Sequence, residues 1–129
     1  MFKLYKNKPL MSEIDRLEAI FECQKSLQTS FGFSDIRSIN QVKSIKDTIL
    51  SLTSELHEIL NLFPWREWRN NGEHQVDQFH LKEEVADALH FFINLCLICE
   101  ITPQDLFDSY MDKNLENLNR IKNGTNKTL

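Results

Sequence analysis

The sequence predicts an all-α fold, a bundle of four to five helices. Apolar residues recur at helical spacing over long stretches, most clearly at Val42, Ile45, Ile49, Leu52, Leu56, Ile59 and Phe63. Only three glycines and three prolines punctuate the 129 residues, so helices should run long. No stretch alternates apolar and polar residues over a useful strand length.

The first helix is expected from about Ser12 to Thr29, with Ser12 and Asp15 at capping-box spacing. Ile14, Leu17, Ile20, Phe21 and Leu27 form its apolar stripe, and Gln24 falls on the same face. Ser30 to Asn40, with Gly32 in it, reads as a connection. The second helix should span Gln41 to Phe63 and stop before Pro64. A polar connection with two tryptophans follows, and a third helix is expected from Gln78 to Glu100. Thr102 is the natural N-cap of the last helix, with Pro103 at its first position and Asp105 three residues after the cap. That helix should continue to Lys122, with Gly124 just past its end.

The length fits one domain over residues 1–129 with one hydrophobic core. A net charge of -4 argues against a nucleic-acid-binding surface. No apolar run reaches the roughly 18–20 residues that span a bilayer, so no membrane partner is expected. "MFKLYKNKPLM" has no continuous apolar region and no small-residue cleavage site, and so does not read as a secretory leader. Cys96 and Cys99 form a C-x-x-C inside an apolar helical run without a second ligand pair, which reads as buried structural thiols. Together these features point to the cytoplasm.

The chemistry-bearing signal is acidic. Glu55 and Glu58 stand three apart on the second helix, and Glu84 and Asp87 three apart on the third. Residues at that spacing are neighbours on a helix surface, so each pair points one way. On antiparallel neighbours the pairs could face each other, and such a cluster needs cations to offset its repulsion. Carboxylate oxygens suit Mg²⁺, with Mn²⁺ as a substitute, and not zinc. Glutamate pairs are commonly solvated surface. The third helix shifts the balance, because Ala88 to Cys99 is apolar on nearly all sides and should be buried, yet Glu83 or Glu84, Asp87, His90 and Asn94 run down it as a polar stripe. His90 alone reads as a hydrogen-bonded core histidine and not as a ligand.

E-x-x-E on one helix and E-x-x-D on the next resembles the all-α nucleoside triphosphate pyrophosphohydrolases, the MazG-like superfamily, and within it the dimeric dUTPase family. "SELHEILNLFPWREWR" resembles the family's metal-binding helix and its aromatic-basic element. "EEVADALHFF" is similar to the second metal motif, "YMDKNLENLNRIKNG" to a late segment, and "CQKSLQ" to an element of the first helix.

The resemblance implies a bundle of the all-α pyrophosphatase type that cuts dUTP to dUMP and pyrophosphate with a metal-activated water. It implies Mg²⁺ ligands at Glu55, Glu58, Glu84 and Asp87, with Glu55 or Glu58 also orienting or deprotonating the water. Lys113, Asn114 and Arg120 would contact phosphates or sugar. Gln24, Trp68, His90, Phe91 and Asn117 would form the base and deoxyribose pocket. A homodimer or dimer of dimers is implied as well. Gln28 stands where the family usually carries an asparagine, and only Lys122 and Lys127 remain where many members have a glycine-rich basic tail. Two other readings stay open: a related pyrophosphatase acting on another canonical or modified nucleotide, and a non-catalytic helical module that binds nucleotide or protein.

Overall fold

The computed structural model describes residues 15–31, 41–69, 72 and 74–124. Ser12, Ile14, Gly32 and Lys127, which the sequence reading uses, lie outside them. Four helices follow one another: α1 (Arg16–Ser30), α2 (Gln41–Asn61), α3 (Gln78–Ile98) and α4 (Pro103–Lys122). The described residues contain no strand, and the all-α class stands.

Each start has a local cause. Asp15 caps α1 by accepting the Glu18 N–H at 3.1 Å, so the aspartate expected inside the first turn is itself the N-cap. Asp77 caps α3 through the N–H groups of Phe79 and His80. Thr102 and Asp105 form the full capping box on α4, with bonds of 3.1 and 3.0 Å. The Thr102 backbone N–H, and then its hydroxyl, bond to the Asp105 carboxylate and hold it below its ordinary range. The ends are equally local. α2 stops two residues before Phe63, where Leu62 and Phe63 donate to Ile59 and Leu60 in tightened turns. Gly124 follows α4 at φ +67°, a conformation open to glycine.

α3 is the central element. It packs along α2 and against α1, and α4 leans on α1. Gln41, at the start of α2, donates from Nε2 to the Ile98 carbonyl at the end of α3. Glu55 and Glu58, further along α2, come to Glu84 near the start of α3. The two helices are therefore antiparallel. The innermost cluster is Phe21, Ile93 and Cys96, with Leu17, Leu97 and Leu106 packed on it, and Ile93 is only 1% exposed. Burial pushes the Cys96 thiol above its usual range, as suits a structural thiol, while Cys99 is half-buried.

Two expectations about burial need correction. On α2 the face turned inward carries Ser44, Ile45, Thr48, Ser51, Leu52, Glu55 and Ile59. Val42, Ile49, Leu56 and Phe63, placed on the core stripe from sequence, are exposed, Val42 by 76%. On α3, Val85, Leu89 and Phe92 are exposed as well, so this helix is not buried on all sides in the single chain. The physical reason is geometric: α2 and α1 together cannot surround a helix whose second half is apolar on nearly all sides.

The turn between α3 and α4 bends the chain by 105°. Ile101 N–H donates to the Cys96 carbonyl and Glu100 N–H to that of Leu97, the paired bonds of a Schellman end. Glu100 occupies its left-handed position at φ 58°, where a side chain is disfavoured. Glu100→Gly should therefore raise stability by up to about 1 kcal/mol. Urea unfolding followed by circular dichroism would check this, and a loss of stability would show that the Glu100 side chain contributes more than its backbone costs.

Candidate metal and substrate site

Helix geometry brings the acidic residues together in two steps. Three-residue spacing makes Glu55 and Glu58 neighbours on α2, and the antiparallel pairing sets them against the first half of α3. One carboxylate oxygen from each of Glu55, Glu58 and Glu84 lies within 4.8 Å of the others. Asp87 stands outside this tight set, yet its charge reaches Glu55. Burial first, then the charges on Glu58, Asp87 and Glu84, raise the Glu55 carboxyl above the ordinary glutamate range, with a hydrogen bond to Glu58 adding to the effect.

Two of these oxygens lack what burial normally requires. Glu55 Oε2 and Glu84 Oε2 are buried without a hydrogen-bond partner. An all-oxygen donor set with orphaned, mutually repelling carboxylates fits a hard divalent cation. Glu84 Oε1 lies 3.1 Å from His80 Nε2, one helical turn earlier. This contact was missed from sequence, where H-x-x-x-E is one of many such pairs.

Two further buried acceptors lie on α1 and α3. Gln24 on α1 is only 4% exposed, and its Oε1 has no partner. Asn94 Oδ1 is likewise buried and unpartnered. Glu84, Asp87, Phe91 and Asn94 follow one another at spacings of three and four, so they share one face of α3. Asn94 was visible in the polar stripe but had been given no role.

The aromatic residues gather just beyond α2. Trp65 is half-buried, donates from Nε1 to Asn61 Oδ1 at 3.1 Å, and meets His57 and Trp68 edge-on. The Arg66 guanidinium lies 4.6 Å from the Trp65 ring centre. Trp68 is 76% exposed, an open aromatic surface. His90 is exposed and donates from Nδ1 to the Ala86 carbonyl at 2.8 Å, so it is not the core histidine that sequence suggested.

The α4 candidates stand apart. Lys113 lies 3.1 Å from Glu116, and Arg120 also pairs with Glu116. The bond from Lys113 and the charge of Arg120 hold the Glu116 carboxyl below its ordinary range. Asn114 is exposed and Asn117 half-buried. In the single chain α4 packs chiefly on α1, and these residues face the acidic set less directly than those of α2 and α3.

An all-helical bundle with E-x-x-E and E-x-x-D facing across antiparallel helices defines the class of all-α nucleoside triphosphate pyrophosphohydrolases. A family model described as dUTPase matches residues 16–99, from α1 to the end of α3. The chain belongs to this family, the dimeric all-α dUTPases, and so to the dUTP diphosphatases. The matched span holds Gln24, Glu55, Glu58, Trp68, Glu84, Asp87, His90 and Phe91, while the α4 candidates lie beyond it. Neither the curated proteins nor the solved structures give a significant match.

The raised Glu55 carboxyl predicts how metal-free stability depends on pH. A carboxyl whose folded pKa exceeds its unfolded value favours the fold most at low pH, and that contribution is lost as pH rises through the folded value. Metal-free protein should therefore lose Glu55-dependent stability as pH climbs above the ordinary glutamate range. Glu55→Gln should raise the melting temperature at neutral pH, and its advantage should vanish on acidification. Thermal melts of both proteins in chelator across pH would check this. A lower melting temperature for the variant at neutral pH would contradict it.

Proposed function

We propose that the chain hydrolyses dUTP to dUMP and pyrophosphate in a Mg²⁺-dependent reaction. The observation that carries this reading is the meeting of Glu55, Glu58 and Glu84, with two orphaned oxygens, in a member of the dUTPase family. These three residues and Asp87 would hold the ion, and Mn²⁺ would substitute. When bound, the ion supplies positive charge against the triphosphate and makes water more acidic.

The chain's own groups account for the rest. Glu55 and Glu58 orient the attacking water and accept its proton, and Glu58 is the exposed member of the set. Gln24 can accept a base N–H at Oε1 and donate from its amide to a neighbouring carbonyl, which suits the edge of uracil. Trp68 and Phe91 offer flat apolar surface to base and sugar, with His90 and Asn117 at the pocket's border. Lys113, Asn114 and Arg120 serve the phosphates, for which Lys113 and Arg120 must exchange Glu116 for substrate.

Assembly belongs to the same proposal. Val42, Ile49 and Leu56 on α2, Phe63 just past its end, Val85, Leu89 and Phe92 on α3, and Phe107, Met111, Leu118 and Ile121 on α4 are all exposed. A homodimer or dimer of dimers would cover such rows. A second substrate reading has one observation in its favour. Gln28 is half-buried one turn after Gln24, so the amides near the base differ from the family's usual pair, and another pyrimidine nucleotide could be preferred.

Pyrophosphate release from a panel of deoxynucleoside triphosphates with Mg²⁺ should be greatest with dUTP. A different best substrate would favour the second reading, and no release from any would leave a binding module. Glu58→Gln and Asp87→Asn should reduce turnover to background while circular dichroism stays helical. Gln24→Ala should narrow the dUTP/dCTP ratio of kcat/KM by at least about tenfold. Sedimentation should give a dimer or larger species at micromolar concentration, with stability and activity falling together on dilution. A fully active monomer would refute the assembly.

A further inference from the structure

Among the described residues, His80 touches the acidic set without being part of it. It sits in the first turn of α3, and the Asp77 cap accepts its N–H at 3.4 Å and that of Phe79 at 3.0 Å. The cap fixes the backbone from which the imidazole projects. Nε2 then lies 3.1 Å from Glu84 Oε1. Glu84 Oε2 is buried and has no partner, and Glu84 offers one ligand atom to the set with Glu55 and Glu58. One oxygen of this carboxylate thus has the imidazole beside it, and the other has no partner. His80 does not join that ligand set itself.

We propose that His80 is a positioning residue for the metal centre. Its Nε2–H holds Glu84 Oε1, so that Glu84 meets the ion through Oε2 alone. This rests on the metal-centre reading above. A glutamate side chain has several rotatable bonds, and its terminal torsion is broad. Fixing one oxygen removes that freedom before the ion arrives, and ligand carboxylates are commonly held this way. The bond also keeps Glu84 from chelating with both oxygens. One-oxygen ligation suits the small, strictly octahedral ions Mg²⁺ and Mn²⁺, whereas Ca²⁺ readily takes two-oxygen carboxylates. Nε2 donates in the charged ring and in the neutral tautomer that carries its proton there.

The test uses full-length, metal-free protein titrated with Mn²⁺, with the free ion followed by electron paramagnetic resonance. His80→Ala should weaken Mn²⁺ binding about 10–100-fold and narrow the preference for Mn²⁺ over Ca²⁺. His80→Gln, whose amide can place a donor near the Nε2 position, should bind Mn²⁺ within about threefold of wild type. The His80 side chain is 51% exposed, so both variants should keep the wild-type helical spectrum and metal-free melting temperature. Wild-type affinity in His80→Ala would overturn the inference. So would equal weakening in His80→Gln and His80→Ala, because a donor would then not be what matters. Glu55→Gln is the control for the underlying reading. If it binds Mn²⁺ as tightly as wild type, the metal centre itself is wrong, whatever His80 does.

Discussion

Like charge held at close quarters is the constraint around which this bundle is arranged. Glu55, Glu58 and Glu84 bring oxygens within 4.8 Å of one another, and the Asp87 charge adds to the field at Glu55. Repulsion of this kind pushes α2 away from the start of α3, so other contacts must hold the pair together. At the opposite end Gln41 bonds the last turn of α3, and on its other side α3 is anchored by Ile93 and Cys96 packed with Phe21. Near the acidic end His74 ties the connection back to the Leu62 carbonyl. The apolar core is thus displaced from the charges, and its packing offsets their repulsion. Stability given up locally at a site, and restored elsewhere, is the usual mark of function.

Helix spans and carboxylate pairs were legible in the sequence because both depend on local geometry. The Thr102–Asp105 box, Pro103 and Gly124 mark α4 whatever the rest of the fold does. Three-residue spacing makes Glu55 and Glu58 neighbours on any helix. Burial was less legible. Hydrophobicity alone favoured Val42, Ile49, Leu56 and Phe63 as the inward stripe of α2, but the side that meets α3 also carries Ser44, Thr48, Ser51 and Glu55. Small polar residues there permit close helix approach and bring a carboxylate inward, and neither need is written in a hydropathy pattern. The contact between His80 and Glu84 depends on side-chain rotamers, which spacing makes possible but does not select.

The exposed apolar rows and the charges on α4 bear on the same question. Val85, Leu89 and Phe92 lie on the helix that also carries Glu84 and Asp87, but on a different face of it. Lys113 and Arg120, the cations proposed for phosphate, are meanwhile occupied by Glu116. Neutralising them within α4 keeps the helix stable before substrate arrives, and exposure keeps the pairs weak enough to exchange.

Four buried oxygens without partners, Gln24 Oε1, Glu55 Oε2, Glu84 Oε2 and Asn94 Oδ1, separate into two chemical kinds. The glutamate oxygens are anionic and call for a cation. The amide oxygens are neutral and call for N–H or O–H donors. A nucleoside triphosphate held with a divalent ion carries both, in the ion at its phosphates and in the N–H and O–H groups of its base and sugar. A bare metal site would leave the amide acceptors unexplained, and a bare nucleoside pocket would leave the glutamates repelling one another. The glutamates lie on α2 and α3, and Asn94 shares the face of α3 that bears Glu84. Gln24 comes from α1, which packs on α3 from another side. Along α3 the carboxylate therefore stands toward the start of the helix and the amide acceptor Asn94 toward its end.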